Sequence, residues 1–277
     1  MHGKQSAGNM TELTTKYLRN EKARGTSCPG CGLRPAHLKV LEAIDRLGIS
    51  QADIVWGTGI GCSGRQTYAT WKGDTFAGTH GRVYAMATGL RLALAPEKKI
   101  ILTVGDGDAY TIGLQHLLNC ARRNVGVTVV VLDNLGYQST GGQYSITTPE
   151  GSVTDSSPRG TWEQNWAGSG LDILNVIKEA GATFIARHTV LQGDAVVSSL
   201  EKAIQNPGFS LVQIVYPCVS HFGVQALGTR NIPQVYTWFE SYPLATGILH
   251  DSIGSRPEFS DAFRQQKKKV KKGNQDV

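Results

Sequence analysis

Apolar positions along this chain switch repeatedly between two spacings. "RPAHLKVLEAIDRLG" (34–48) puts Leu38, Leu41, Ile44 and Leu47 near one face of a helix. "ADIVWGTG" then reads as a strand running into glycines, and "GRVYAMATGLRLALAP" (81–96) predicts a largely buried helix stopped by Pro96. "KKIILTV" (98–104) is a strand, and "TIGLQHLLNCARRN" (111–124) is a helix whose cationic end suits its negative C-terminal dipole. "VGVTVVVLDN" (125–134) is β-branched without alternation, the pattern of a strand buried on both faces. After a segment of turn chemistry (135–170), the alternation resumes with a helix at 171–181, a strand at 182–190, a helix at 193–206 and a strand at 208–217.

Strand–helix–strand repetition implies an α/β fold, a mainly parallel sheet with helices on both faces. The reading is an arm over 1–25, one α/β domain over 26–222, and an irregular C-terminal extension with a basic tail over 223–277. In such sheets ligands bind beyond the carboxyl ends of the strands. Four strand exits carry unusual residues: "GTGIGCSGR", "GDGDAY", "DNLGYQSTGGQ" and "YPCVSHF". Parallel strands would bring all four to one edge. The long segment after 134 belongs there too, since unstructured connections of that length are commonly functional.

Charge changes this picture little. The net charge of +6 falls to +1 without the five lysines of "KKKVKK" (267–272). The tail reads as a solvated end, or as a dock for an acidic partner. Nucleic-acid binding is disfavoured, because no basic stripe or aromatic platform accompanies the tail. No apolar run is long enough to span a bilayer, and the first residues show no secretory h-region, so a cytoplasmic protein is expected.

The chemistry starts at "VGDGDAYTIG" (104–113), where Asp106 and Asp108 leave a buried strand. An unpaired buried carboxylate is costly, so a positive partner is expected. Asp106 and Asn134 stand 28 residues apart, one β-α-β unit, each at a strand exit. A carboxylate and an amide oxygen are hard ligands suited to Mg²⁺ and phosphate, and glycines beside a helix start let a phosphate approach. An Asp at a helix N-cap is the plainer alternative. An EF-hand fails, because Thr111 and Leu117 stand where Gly and Glu are needed, and no Walker motif is present. "GDG" (105–107) with "DN" (133–134) resembles the diphosphate-binding motif of thiamine diphosphate enzymes. That resemblance implies Mg²⁺ ligation by Asp106, Asn134 and the carbonyl of Gly136.

Cysteine is the second signal. "CPGCG" (28–32) fits a redox dithiol, half a zinc site or part of an iron–sulfur site. No second CxxC follows. Cys62 and Cys218 occur singly, both at strand exits, and four thiolates there could hold a [4Fe–4S] cluster. Cys120, inside a helix, reads as a packed core residue.

"CPGCG", "GIGCSGR" (59–65), "THGRVYAMATG" (79–89), "GDGDAYTIG", "RRN" (122–124), "DNLGYQSTGGQ" (133–143) and "YPCVS" (216–220) occur in one order. In that order they resemble the β subunit of the 2-oxoacid:ferredoxin oxidoreductases over about residues 25–222. The resemblance implies a thiamine diphosphate-binding domain of the diphosphate-holding type. Cofactor contacts would come from Gly61, Cys62, His80, Gly105, Asp106, Gly107, Asp108, Asn134, Gly136 and Tyr137. Cys28, Cys31, Cys62 and Cys218 would ligate a [4Fe–4S] cluster, with Arg65 and Thr140 facing the substrate. Two departures stand out: Gln138 where many relatives have glycine, and Gly141 where some carry lysine. Both lie in the substrate loop.

The implied activity is oxidative decarboxylation of a 2-oxoacid, with coenzyme A taking the acyl group and ferredoxin the electrons. This chain has room for one cofactor-binding domain only. An α subunit supplying the pyrimidine-binding domain and its activating glutamate is therefore expected. Alternatives are a non-oxidative thiamine diphosphate decarboxylase or synthase subunit, a non-catalytic electron-transfer module, and a zinc-stapled binding domain.

Overall fold

The computed structural model describes residues 11–19, 27–161 and 171–273. The strands are Ile54–Thr58 (β1), Asp74–Ala77 (β2), Lys99–Gly105 (β3), Thr128–Asp133 (β4), Phe184–Thr189 (β5), Ser210–Val215 (β6) and Gly247–Asp251 (β7). They form one sheet in the order β2-β1-β3-β4-β6-β5-β7. Every pairing is parallel except β5 with β7. Parallel neighbours need a crossover, and helices supply them.

The helices are residues 11–17 (α1), Leu33–Arg46 (α2), Cys62–Thr70 (α3), Val83–Ala93 (α4), Leu114–Arg123 (α5), Ile173–Glu179 (α6), Gly193–Gln205 (α7), His221–Gln225 (α8), Ile232–Ser241 (α9) and Phe259–Gly273 (α10). The strands carry apolar rows on both faces, as their lack of alternation predicts. Trp56, Ile101, Leu132, Phe184 and Ile214 join a core with α2 and α7. Leu102, Val104, Val131, Ile185 and Leu211 join a second core with α4, α5 and α6. On the first face Trp56 meets Trp71 edge-on at 4.9 Å between ring centres, and Tyr17 stacks on Trp71 at 5.8 Å. Each such pair is worth roughly 0.5–1.5 kcal/mol beyond area burial.

β1 leads outward to β2, whereas β3 leads the other way to β4. The chain therefore diverges between β1 and β3, which opens a crevice beyond their carboxyl ends.

Three segments differ from the sequence pattern. Part of the expected arm is core: Leu13, Tyr17 and Leu18 of α1 and its end are buried. Its polar residues hid them, since Lys16 is spent on a pair with Asp45. Helix α4 is less buried than its composition predicts. Ala85, Met86 and Gly89 lie exposed on an uncharged face. The extension is also more regular than its weak periodicity predicts, because β7 adds an antiparallel edge strand. Glu258 staples the start of α10 to the sheet's amino edge, accepting from Gly126 N at 2.9 Å and Asp261 N at 3.0 Å. The basic tail thus leaves from the edge opposite the crevice. Among the described residues no helix is long and apolar enough to cross a membrane.

Candidate functional site

The crevice opens to solvent, and about 610 Å³ of space free of protein atoms, part of it bulk solvent, lies within and above it. Its wall brings together Gly61, Cys62, Arg65, His80, Gly105, Asp106, Gly107, Asp108, Asn134, Gly136, Tyr137 and Thr140. Parallel register explains the convergence: β1, β3 and β4 end side by side, so their exit loops share one edge.

Asp106 is buried at the end of β3. Its Oδ2 accepts from Ser145 Oγ and from Thr147 Oγ1, the latter at 2.9 Å. The amide of Asn134 lies 2.8 Å from Gly136 O and 3.2 Å from Asp106 Oδ1. With one face of the amide turned inward, Nδ2 donates to both oxygens and Oδ1 accepts from Tyr216 OH. With the other, Nδ2 donates to Tyr216 OH at 2.9 Å and three oxygens converge. Tyr216 can serve either way, because a hydroxyl both donates and accepts.

The loop holding Gly136 is shaped by Asp133. Its Oδ1 accepts from Leu135 N at 2.8 Å, which fixes Leu135 at φ +64°. Gly136 follows at φ +154°, which turns the chain back across the crevice. Sequence reasoning assigned no role to Asp133. The available signal was period two: Asp133 continues the row of Val129 and Val131.

Asp106 and Asp133 form a strained pair. Burial and the neighbouring Asp133 push the Asp106 carboxyl up to about 7, and burial raises Asp133 as well. Thr147 Oγ1 sits between them, 3.1 Å from Asp133 Oδ1, with one proton for two carboxylates. A divalent cation would remove the conflict.

Asp108 is buried too, and burial raises its carboxyl. Its Oδ1 accepts from Gly81 N at 2.8 Å and faces His80 Nδ1. His80 Nε2 makes no hydrogen bond among the described residues, and the ring borders the cavity. Tyr137 closes one side, with its hydroxyl on Thr111 Oγ1 and on Gly107 O at 3.3 Å. Gly107 is required there: a Cβ would stand 2.4 Å from the Tyr137 ring. Arg65, in the first turn of α3, is exposed at the cavity rim. Thr140 donates to Gln143 Oε1 at 2.6 Å, and Gln138 is buried with Nε2 on Asn134 O at 3.3 Å.

None of the five cysteines forms a disulfide. Cys31, Cys62 and Cys218 pack in one region, and Cys28 approaches it, with the Cys28 and Cys218 sulfurs 3.9 and 3.5 Å from Ser220 Oγ. Burial pushes the Cys31 thiol up to about 12, with Cys218, Cys28 and Cys62 adding to the rise. Gly32 lets this loop seat on "YPC": its N–H donates to Pro217 O at 3.1 Å. Among the described residues no three His, Cys, Asp or Glu side chains are close enough to cage a single metal ion. A cubane sits between its thiolates and keeps them further apart than ligands of one ion. Cys120 is remote, buried beneath α4, with its sulfur 3.2 Å from Thr88 Oγ1.

Fold and crevice together define a thiamine diphosphate-binding domain, and residues 54–214 match the family described as thiamine pyrophosphate enzyme, C-terminal TPP binding domain. The 2-oxoglutarate synthase subunit KorB of Methanocaldococcus jannaschii is 36% identical over 208 residues, 75% of this chain and 74% of that one. Its Archaeoglobus fulgidus counterpart is 39% identical over 206 residues, 74% of each chain. The solved 2-oxoglutarate:ferredoxin oxidoreductase of Magnetococcus marinus, with 2-oxoglutarate, coenzyme A and succinyl-CoA bound, superposes with a TM-score of 0.79 at 26% identity, covering 93% of this chain and 90% of its own. The chain belongs to the family of 2-oxoacid:ferredoxin oxidoreductase β subunits, a family of oxidoreductases.

Proposed function

We propose that the chain binds thiamine diphosphate through Mg²⁺ and catalyses oxidative decarboxylation of a 2-oxoacid, passing electrons through a [4Fe–4S] cluster to ferredoxin. The observation that carries the first part is the convergence of the Asn134 amide, the Gly136 carbonyl and the Asp106 carboxylate at the ends of β3 and β4. Octahedral Mg²⁺ at 2.0–2.1 Å from each ligand sets neighbouring ligands about 2.9 Å apart. The Asn134 amide stands 2.8 and 3.2 Å from the other two oxygens, and the Asp106 carboxylate beside it is buried next to a second carboxylate, Asp133. These residues fit the ion, and Asp106, Asn134 and the Gly136 carbonyl would hold it. The fourfold cysteine gathering supports the cluster, with Cys28, Cys31, Cys62 and Cys218 as ligands.

When bound, the cofactor supplies the nucleophilic carbon and the electron sink for decarboxylation. The chain's own residues bind and orient. Arg65 and His80 are the cavity-lining side chains able to carry positive charge. Arg65 at the rim suits the substrate carboxylate, since a guanidinium pairs carboxylates in bidentate fashion. Asp108 fixes His80 with Nδ1 toward the protein, which leaves Nε2 facing the cavity as a hydrogen-bond acceptor. Tyr137 and Thr140 shape the wall, and Cys62 borders both the cavity and the cysteine group.

An α subunit completes the site, carrying the activating glutamate, since no glutamate lines the cavity among the described residues. Coenzyme A is the proposed acyl acceptor. The names of the relatives make 2-oxoglutarate the first substrate to try. The test uses anaerobically purified chain with and without its partner subunit. Iron, bound cofactor and oxoacid oxidation only in the assembled complex are expected. Oxidation by the isolated chain overturns the partner requirement. Cofactor without iron favours a non-oxidative decarboxylase, and iron without cofactor favours an electron-transfer module.

A further inference from the structure

On one face of the sheet, four apolar rows end in a polar side chain. Val104 is followed two residues on by Asp106, Val131 by Asp133, Leu211 by Gln213 and Ile185 by Arg187. The four are linked. Arg187 Nε donates to Gln213 Oε1 at 2.9 Å, directly across the β5–β6 register. Gln213 Nε2 donates to Asp133 Oδ2 at 2.6 Å. Thr147 Oγ1 then bridges Asp133 Oδ1 at 3.1 Å and Asp106 Oδ2 at 2.9 Å. Gln213, Asp133 and Asp106 are all buried, so bulk water does not choose their orientation.

The chain of bonds has a direction. A glutamine amide accepts on one side and donates on the other, whereas a guanidinium only donates. Arg187 therefore draws Oε1 to itself and turns Nε2 to Asp133. Asp133 accepts from that donor at Oδ2 and from Leu135 N–H at Oδ1, which fixes its carboxylate plane. Its place fixes Thr147. Thr147 and Ser145 in turn hold Asp106 by Oδ2, which leaves Oδ1 facing the Asn134 amide.

We propose that Arg187 is a positioning residue for divalent-metal binding, acting through Gln213, Asp133 and Thr147 to hold Asp106 with one carboxylate oxygen presented to the ion. This rests on the reading of Asp106, Asn134 and Gly136 as the metal cradle. Without Arg187 the Gln213 amide is free to turn. The donor at Asp133 Oδ2 is then no longer held in place, and the Thr147–Asp106 contact loses its support.

In the assembled complex, Mg²⁺ is titrated at fixed thiamine diphosphate, and cofactor binding is followed by equilibrium dialysis. Arg187→Met is expected to raise the Mg²⁺ needed for half-saturation about tenfold, the scale seen when an outer partner of a metal ligand is lost. Arg187→Lys, which keeps a donor and the charge, recovers part of it. Gln213→Leu breaks the same path at another link and shows the same shift. The oxoacid KM of Arg187→Met at excess Mg²⁺ stays at the wild-type value. A wild-type Mg²⁺ requirement in Arg187→Met, or a loss of metal-free stability with no change in Mg²⁺ requirement, overturns the proposal alone. Cofactor binding by the wild type that needs no divalent ion overturns the cradle and this proposal together.

Discussion

Asn134 and Asp106 leave neighbouring strands and meet side chain to side chain at 3.2 Å. Without an ion the amide nitrogen faces Asp106 and Gly136, and Tyr216 OH, which can accept as well as donate, permits the amide to turn over. An incoming cation selects the orientation that turns oxygen inward. Asn134→Ala removes a ligand and leaves Tyr216 without its partner. It is expected to weaken Mg²⁺-dependent cofactor binding by at least about tenfold, since loss of a mere outer partner costs that much. Asp106→Asn does the same while relieving the clash with Asp133. Cofactor titration at several Mg²⁺ concentrations checks both, and wild-type affinity in either variant speaks against the cradle.

Gly59 sits under the Asp108 carboxylate. A Cβ there would stand 1.8 Å from Asp108 Oδ2 and 3.1 Å from Val104 Cγ1. Asp108 is buried and its Oδ1 is held by Gly81 N–H, so the carboxylate has little room to retreat. Gly59→Ala must therefore displace the carboxylate and the His80 ring with it. Overpacking of this kind costs about 1–3 kcal/mol. A lowered unfolding midpoint together with weaker cofactor binding is the expected result. An unchanged midpoint would mean that the loop moves freely.

The cysteines divide by position. Cys28, Cys31, Cys62 and Cys218 surround one region, whereas Cys120 lies under α4 with Thr88 and the Tyr84 carbonyl. Serine at any of the first four should cut anaerobic iron and sulfide well below the about four irons per chain of a full cluster. Cys120→Ser should keep full iron. Equal iron loss in all five, or none in any, counts against the cluster assignment.

Much of this site was legible because the strands are parallel and buried. Their exits had to share an edge, and so Asp106, Asn134 and Cys218 could be placed near one another from 28-residue and longer spacings alone. Asp133, Gln213 and Arg187 were harder. Each continues a period-two row at a strand end and reads as the place where a strand stops. Only the sheet order, which sets β6 between β4 and β5, reveals that they touch. Strand β7 and the buried side of α1 were missed for a different reason: short segments that borrow their core from distant residues carry little periodicity of their own.

Two buried groups should give the metal-free protein opposing pH dependences. His37 is fully buried against Trp56, and neither ring nitrogen has a hydrogen-bond partner among the described residues. Burial, with Arg34 adding, pushes it down from 6.5 to about 4. Below pH 6.5 the unfolded chain takes a proton that the folded one refuses, so stability is lost as pH falls toward 4, by about 2 kcal/mol at pH 5. Asp106 runs the other way. Its raised carboxyl keeps a proton that the unfolded chain has released, so stability is present below 3.8 and lost as pH rises through about 7. Bound Mg²⁺ should remove the second slope, because the ion favours the carboxylate. Urea unfolding in chelator at pH 5 and pH 7.5 separates the two. His37→Phe should gain more over wild type at pH 5, and Asp106→Asn should gain more at pH 7.5. A gain for either variant that is the same at both pH values removes that residue from the account.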